Sequence, residues 1–381
     1  MKNELCSRKL RIGIIVCALS MLVSGCADRA QNDSEKQTAL MTEAEQATET
    51  EMDSQGMSGG LDGTHLEYSI NNRTRIDADI VYHGKTDTAE VITAGLKKVN
   101  PEFVTDMSPG TTMDDWTYQT VQEGKSLYES YEYDGKSIKV GYSIGYISPE
   151  WSWYSLYGPM VWNNSTTRLQ WKDQDIDFDF CSIADAHEIC REILENAGYE
   201  GVEFRNNFSV DYRDMEEAEA GNAETEGDIE KLNISKKDNW SEADNHYLFE
   251  ASAMLNGLPV KDTGYFTKDD YYVAGGQILI GYKEDGICYL TTEGLFDPQE
   301  SDTQTLLPME EILNALEEKY RNLLLEEEVV FDDVELIYYP ILTDVYAPEY
   351  QLVPAWKFSD MSKPYRYEVF YNAVTGEELV F

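Results

Sequence analysis

Gln277-Ile278-Leu279-Ile280-Gly281-Tyr282-Lys283-Glu284-Asp285-Gly286-Ile287-Cys288-Tyr289-Leu290-Thr291-Thr292-Glu293 reads as two strands about one turn. Asp-Gly between apolar segments is a strong short-range hairpin signal, because the tight turn needs positive φ and glycine supplies it without steric cost. Strands joined this closely must be antiparallel. The same signal stands at Asp134-Gly135, between 127–133 and 136–146, and at Asn256-Gly257, after the alternating Tyr247, Phe249, Ala251, Ala253 and Leu255.

Working outward, three helical patterns separate the strand-rich stretches. The first spans 88–99, with Ile92, Leu96 and Val99 on one face, Asp87 and Glu90 spaced as a capping box, and Asn100-Pro101 as its stop. The second follows Ser182, with Asp185 as cap partner, and carries Ile183, Ala186, Ile189, Cys190, Ile193, Leu194 and Ala197 up to Gly198. The third opens at Pro308 as first helical residue and places Ile312, Leu313, Leu316, Tyr320, Leu323 and Leu324 inward. Phe204, Phe208, Val210 and Tyr212 alternate as a half-buried strand, and strands are expected at 67–82, 329–341, 351–358, 365–371 and 377–381. The expected fold class is α+β: two or three units of one helix packed on an antiparallel sheet. The units divide at 66–165, 166–300 and 301–381, and an acidic insertion at 214–245 is expected to be disordered.

Before the first unit, 26–65 is polar and acidic without periodicity, which describes a disordered stalk. Arg11 to Cys26 holds a basic residue, an apolar run from Ile12 to Val23 and Val23-Ser24-Gly25-Cys26. The run is too short to span a ~30 Å hydrocarbon core. It resembles a bacterial lipoprotein signal peptide, 1–25. That resemblance implies cleavage between Gly25 and Cys26, diacylglycerol on the Cys26 thiol, and a cell-membrane, lipid-anchored, extracytoplasmic location.

The whole chain carries a net charge of −42, and a segment of 1–25 removes more base than acid. Such a surface repels nucleic acid and argues against phosphate binding. Of six cysteines, Cys181, Cys190 and Cys288 lie in the body, an odd number that argues against a disulfide framework. Cys181 and Cys190 flank the second helix at roughly 13 Å, too far for a bridge. Pairing of either with Cys288 stays open, and buried free thiols are the expectation.

At the C-terminal end, Leu352-Val353-Pro354-Ala355-Trp356-Lys357-Phe358 precedes Tyr371-Asn372-Ala373-Val374-Thr375-Gly376-Glu377-Glu378-Leu379. This arrangement resembles the end of PepSY-like domains and is similar to extracytoplasmic regulators of the YycH and YycI type. The chain as a whole is similar to uncharacterised surface lipoproteins of clostridia and related Firmicutes. The resemblance implies regulation or inhibition of another protein outside the membrane and supplies no catalytic residues.

Candidate chemistry is sparse. His187-Glu188 lacks the second histidine of a zincin helix, since position 191 is Arg, and His65, His83 and His246 complete the histidine inventory. Asp173, Asp175 and Asp177 begin like a calcium loop, but Phe178 and Ala184 replace the required Gly and Glu. Those aspartates are weak metal candidates on what reads as a strand's solvent face. No nucleophile elbow, P-loop or dinucleotide fingerprint is present, and no cofactor is expected. Trp151, Trp153, Tyr154, Tyr157 and Trp162 form the candidate binding surface, weighed against a core-closing role. The expected function is a non-enzymatic lipoprotein that binds or regulates another surface protein. A cell-wall polysaccharide binder or hydrolase is the first alternative. A transporter's solute-binding lipoprotein ranks below it, because hairpin-linked strands do not suit parallel α/β lobes.

Overall fold

In a computed structural model the described residues are 62–83, 87–123, 126–148, 151, 154, 176–221, 237, 239–268, 271–321, 323, 325–345, 348–362 and 367–380. All belong to one compact unit. The chain begins with β1 (His65–Asn71), β2 (Thr74–Val81) and β3 (Thr88–Leu96), then β4 (Thr117–Glu123), β5 (Ser126–Tyr133), β6 (Lys136–Val140) and β7 (Ile144–Ile147). Helix α1 (Ile183–Ala197), β8 (Val202–Val210) and α2 (Tyr212–Gly221) follow. Next come β9 (His246–Leu255), β10 (Leu258–Pro259), β11 (Tyr265–Phe266), β12 (Tyr272–Val273), β13 (Gln277–Lys283), β14 (Gly286–Thr292) and β15 (Phe296–Thr305). Helix α3 (Met309–Tyr320) precedes β16 (Val329–Phe331), β17 (Asp333–Asp344), β18 (Glu349–Asp360), β19 (Tyr367–Asn372) and β20 (Glu378–Leu379).

The strands make two large sheets. One has the order β1-β2-β17-β18-β19-β20, with β16 on β2 and the ribbon β15-β3 joined to β18. It is mixed, because β2 runs parallel to β16 and β17. The other has the order β10-β9-β13-β14-β7-β6-β5-β4, with β8 on β9, and its pairings are antiparallel. Helix α3 buries Ile312, Leu313, Leu316 and Tyr320 with Ile76, Trp356 and Phe358 of the first sheet. Helix α1 buries Ala186, Cys190, Ile193 and Leu194 with Ile138, Phe249 and Ile280 of the second.

This architecture corrects the expected fold class. The protein is mostly β, not a series of helix-on-sheet units. The first sheet takes strands from 65–96 and again from 296–379, so it is not assembled from one consecutive stretch. The stretch expected to form the first helix is β3. Ile92 and Leu96 are four apart, a spacing that fits both a helical turn and the two-residue strand repeat, so it does not discriminate. Thr88, Val91, Ile92 and Thr93 are β-branched and favour the strand. β3 then pairs on both edges, with β15 and β18, and Ile92 and Ala94 become fully buried. Glu90 does not cap a helix; it accepts from Asn256 Nδ2 at 2.5 Å.

The other two helices follow their sequence signals closely. Ser182 Oγ accepts from Asp185 N at 3.1 Å, and Gly198 ends α1 with φ +105°. Pro308 stands at the N-cap of α3, one place earlier than expected, and Leu323 falls beyond its end, exposed, while Leu324 is outside the described residues. The turns at Asp134-Gly135 and Asn256-Gly257 have φ of +45°/+80° and +45°/+83°, the signature of type I′. Within the acidic insertion, Asp214 to Gly221 lies in α2 and Trp240 and Asp244 are buried, so its two ends are folded. Cys181, Cys190 and Cys288 are free thiols. Among the described residues no helix is long and apolar enough to cross a membrane.

Candidate functional site

The two sheets meet where β8 and the turn after β10 approach β17. Val260 bridges to Tyr338, and Lys261 N donates to Tyr338 O at 2.8 Å. Into this junction β17 inserts Glu335, a fully buried acid between Val334 and Leu336. Arg205 of β8 donates from Nη1 to Glu335 Oε1 at 2.6 Å, and Lys357 of β18 donates from Nζ to Glu335 Oε2 at 2.8 Å. Arg205 also meets Glu203 at 3.1 Å, and Lys357 meets Asp333 at 3.1 Å. His83, just past β2, holds Nε2 3.4 Å from Glu203 Oε1 and 3.7 Å from Glu335 Oε1.

The charges sustain one another. Burial alone would raise the Glu335 pKa, but His83, Lys357 and Arg205 outweigh it and bring it down to about 2. Burial works against the Lys357 ammonium, and Glu335 with Asp333 reverses that and raises it. Glu335, followed by Glu203, also raises His83 against the opposing pull of burial. His83, Glu203 and Glu335 bring three donor atoms within 4.8 Å of one another, a set of the kind that holds a divalent cation. Arg205 and Lys357 already take both Glu335 oxygens, so cationic side chains supply the charge a metal would bring. Acids and bases alternate through this cluster and both oxygens of Glu335 are held by cationic side chains, which suits holding two sheets together more than moving protons.

A second feature lies on the first sheet. One edge of β18 pairs with β3 through Tyr350, Gln351 and Leu352, and with β19 from Ala355 onward. Val353 and Pro354 therefore sit at a fork, where Pro354 O accepts from Ala373 N at 2.8 Å. The fork opens into a groove of about 380 Å³. Val91, Val353 and Val374 give it apolar surface, and Thr93, Asp302, Gln304, Gln351 and Asn372 give it polar groups.

The aromatic residues singled out from sequence are placed differently from an exposed surface. Trp151 is 4% exposed and stacks on Tyr289 at 4.2 Å; Tyr154 is 1% exposed, stacks on His246 at 4.4 Å and donates to Asp244 at 3.1 Å. Both belong to a closed core with Phe208, Trp240 and Leu279, so neither presents a face to a partner. Trp153, Tyr157 and Trp162 lie outside the described residues, as do Gly25, Cys26, Asp173 and Asp175. Asp177 is not on a strand; its Oδ1 accepts from Ile183 N at 2.8 Å and serves the start of α1. His187 lies against Phe204 at 4.0 Å and bonds Asn207 at 2.9 Å.

Sequence reasoning did not assemble the Glu335 cluster. Its signal was a lone acid and a lone base inside apolar strands, Val334-Glu335-Leu336-Ile337 and Pro354-Ala355-Trp356-Lys357-Phe358. Such charges survive burial only when paired.

No family model matches the chain, and no curated protein matches it. Solved structures do. An uncharacterised protein from Eubacterium rectale aligns with TM-score 0.60 at 15% identity, covering 83% of this chain and 93% of that one. The fold is therefore shared with a protein of that source. The Bacillus megaterium YpeB C-terminal domain aligns with TM-score 0.26 at 12% identity, over 69% of this chain and 87% of that one.

Proposed function

We propose that this chain is a lipid-anchored, extracytoplasmic binding protein that holds a segment of another surface protein in the forked groove of its first sheet. The groove carries the reading. It is open and shallow, with valines on its surface and amide, hydroxyl and carboxylate groups around them. An enclosed apolar cavity suits a small ligand, whereas an open groove beside strand edges suits an extended polypeptide. The Val23-Ser24-Gly25-Cys26 sequence supports the anchor, and the net charge of −42 supports a basic or neutral partner. Kinship with PepSY-like regulators belongs to the same proposal and rests on the C-terminal sequence pattern.

The test is a photocrosslinking amino acid at Thr93 or Ser301, both groove-lining, in cells that make the full chain. A discrete protein adduct, lost when Gln351→Arg crowds the groove, is expected. Adducts with wall glycan, or none from either position, would overturn the groove reading. Separately, labelled palmitate should enter the wild-type chain and not Cys26→Ala.

A further inference from the structure

We infer that the groove of the first sheet selects a basic side chain, lysine or arginine, in the extended segment it holds, and that Glu300 and Asp302 of β15 make the selection. The inference rests on the groove reading above and adds the chemistry of the occupant. Among the described residues that line the groove, Glu300 and Asp302 are the charged ones, and both are acidic. Neither is ion-paired with a described residue, and Asp302 accepts from Gln304 Nε2 at 2.5 Å through Oδ2. Their carboxylates are therefore available to a cation that enters the groove.

A chain of net charge −42 exposes acids on many faces, so what singles these two out is how the backbone turns them. β15 pairs with β3 so that Phe296 stands opposite Leu96 and Pro298 opposite Ala94, with Phe296 and Ala94 in the core beneath the sheet. Gln299 is then passed over, and Glu300 stands opposite Thr93 and Asp302 opposite Val91. Continued without that extra residue, the same register would set Glu300 opposite Ile92 and Asp302 opposite Glu90, on the face where Ile92 and Ala94 are fully buried. Side chains alternate with a period of two, so one inserted residue moves those that follow to the other face. The bulge at Gln299 thus carries both acids from the core face to the groove face, beside Val91 and Thr93. Gly95 makes room for it, since an added Cβ there would stand 3.1 Å from Gln299 Nε2.

The rest of the groove suits such a side chain. Residues two apart on one strand are about 7 Å apart, a gap in which one ammonium or guanidinium faces a carboxylate on each side. Val91 and Thr93 lie across from the acids on β3, and Val353 follows the last pair between β3 and β18. These supply aliphatic surface for the stem of a lysine or arginine. The turn after β19 forms another wall, and Asn372 Oδ1 fixes it by accepting from Val374 N at 2.8 Å and Thr375 N at 3.1 Å. The same two acids disfavour other occupants: a second copy of this chain and its own segment 26–65 are both net acidic.

The test uses the full chain in cells with a photocrosslinking amino acid at Thr93, and reads the partner segment in the adduct by mass spectrometry. Lysine or arginine within about two residues of the crosslinked position is expected, the reach of one long side chain along an extended segment. Glu300→Gln with Asp302→Asn changes two exposed side chains without changing their shape, and should cut adduct yield about tenfold or more. Glu300→Asp with Asp302→Glu keeps the charge and should keep the adduct. A synthetic peptide of the captured segment, titrated against the full chain in detergent, should bind about tenfold more weakly when its basic residue becomes glutamine, and more weakly as salt rises. A segment with no base near the crosslink, an adduct indifferent to the neutral variant, or a peptide indifferent to the glutamine would overturn selection by Glu300 and Asp302 and leave the groove reading standing. Absence of any adduct from Thr93 would overturn both.

Discussion

Arg205 Nη1 lies 2.6 Å from Glu335 Oε1, and the two residues belong to different sheets. The bond closes the junction with help from Lys357, whose Nζ holds the other carboxylate oxygen at 2.8 Å. Removing the acid leaves two cations facing each other in a dry place, which costs far more than the net worth of the pair. Glu335→Gln should lower unfolding free energy by about 3–5 kcal/mol. A double-mutant cycle with Arg205→Met, read by denaturant midpoints, should show strong coupling; additive losses would mean that the two side chains do not interact across the junction.

The pH dependence of stability should have two acid limbs. The folded Glu335 pKa, about 2, lies below the usual carboxylate value, so its contribution is complete above about 4.5. It is lost as pH falls from 4.5 toward 2, and amounts to about 3 kcal/mol. Burial holds His246 down at about 4, so the unfolded chain takes up its proton first. Stability is full above 6.5 on this account and declines as pH falls toward 4. His83 has the opposite sign: its pKa is raised, so its contribution is present below 6.5 and is lost as pH rises through the folded value. Thermal midpoints measured across pH 3–7 should flatten between 6.5 and 4 in His246→Gln, and below 4.5 in Glu335→Gln. An unchanged upper limb in His246→Gln would mean that another group sets it.

The N-cap of α1 offers a smaller and local effect. Ser182 accepts from Asp185 N and donates to Asp185 Oδ2 at 2.7 Å. Ser182→Ala should cost about 1 kcal/mol. Ser182→Asp should recover less than a serine-to-aspartate exchange usually does, because Asp185 sits beside it. Urea denaturation of the two variants distinguishes these outcomes.

How far the sequence carries the fold depends on whether a signal is local. Asp134-Gly135 and Asn256-Gly257 declare their turns because positive φ is a property of two residues. Ser182 and Gly198 bound α1 for the same kind of reason. β3 departs from the helical expectation because its partners, β15 and β18, lie 200 residues or more away in sequence, and nothing within 88–99 reports them. The junction cluster was hidden similarly: Glu335 and Lys357 stand out as single charges in apolar strands, but Arg205 and His83 reach them only through the packing of two sheets. The Trp151 and Tyr154 pair shows the converse difficulty. Aromatic residues close together in sequence look alike whether they cap a core or face a partner, and here the core cluster with Tyr289 and His246 decides it.

That core makes a final prediction about how tightly it is fitted. Trp151 lies over Gly281, where an added Cβ would stand 3.3 Å from Trp151 Cζ3 and 2.9 Å from Cys288 Sγ. Tyr289, the neighbouring residue on β14, would be met at 3.2 Å, so the indole has its place only because position 281 has no side chain. Trp151→Ala empties a buried site and should cost about 3–5 kcal/mol. Gly281→Ala crowds the same site and should cost about 1–3 kcal/mol, since Cys288 Sγ, Tyr289 Cβ and the Trp151 indole would all have to withdraw. Combining Gly281→Ala with Trp151→Leu should cost less than the sum of the single changes, because the smaller side chain leaves room for the methyl group. Denaturant midpoints and near-ultraviolet circular dichroism of the three variants provide the measurement. Strict additivity would show that Trp151 and Gly281 do not share the space assigned to them.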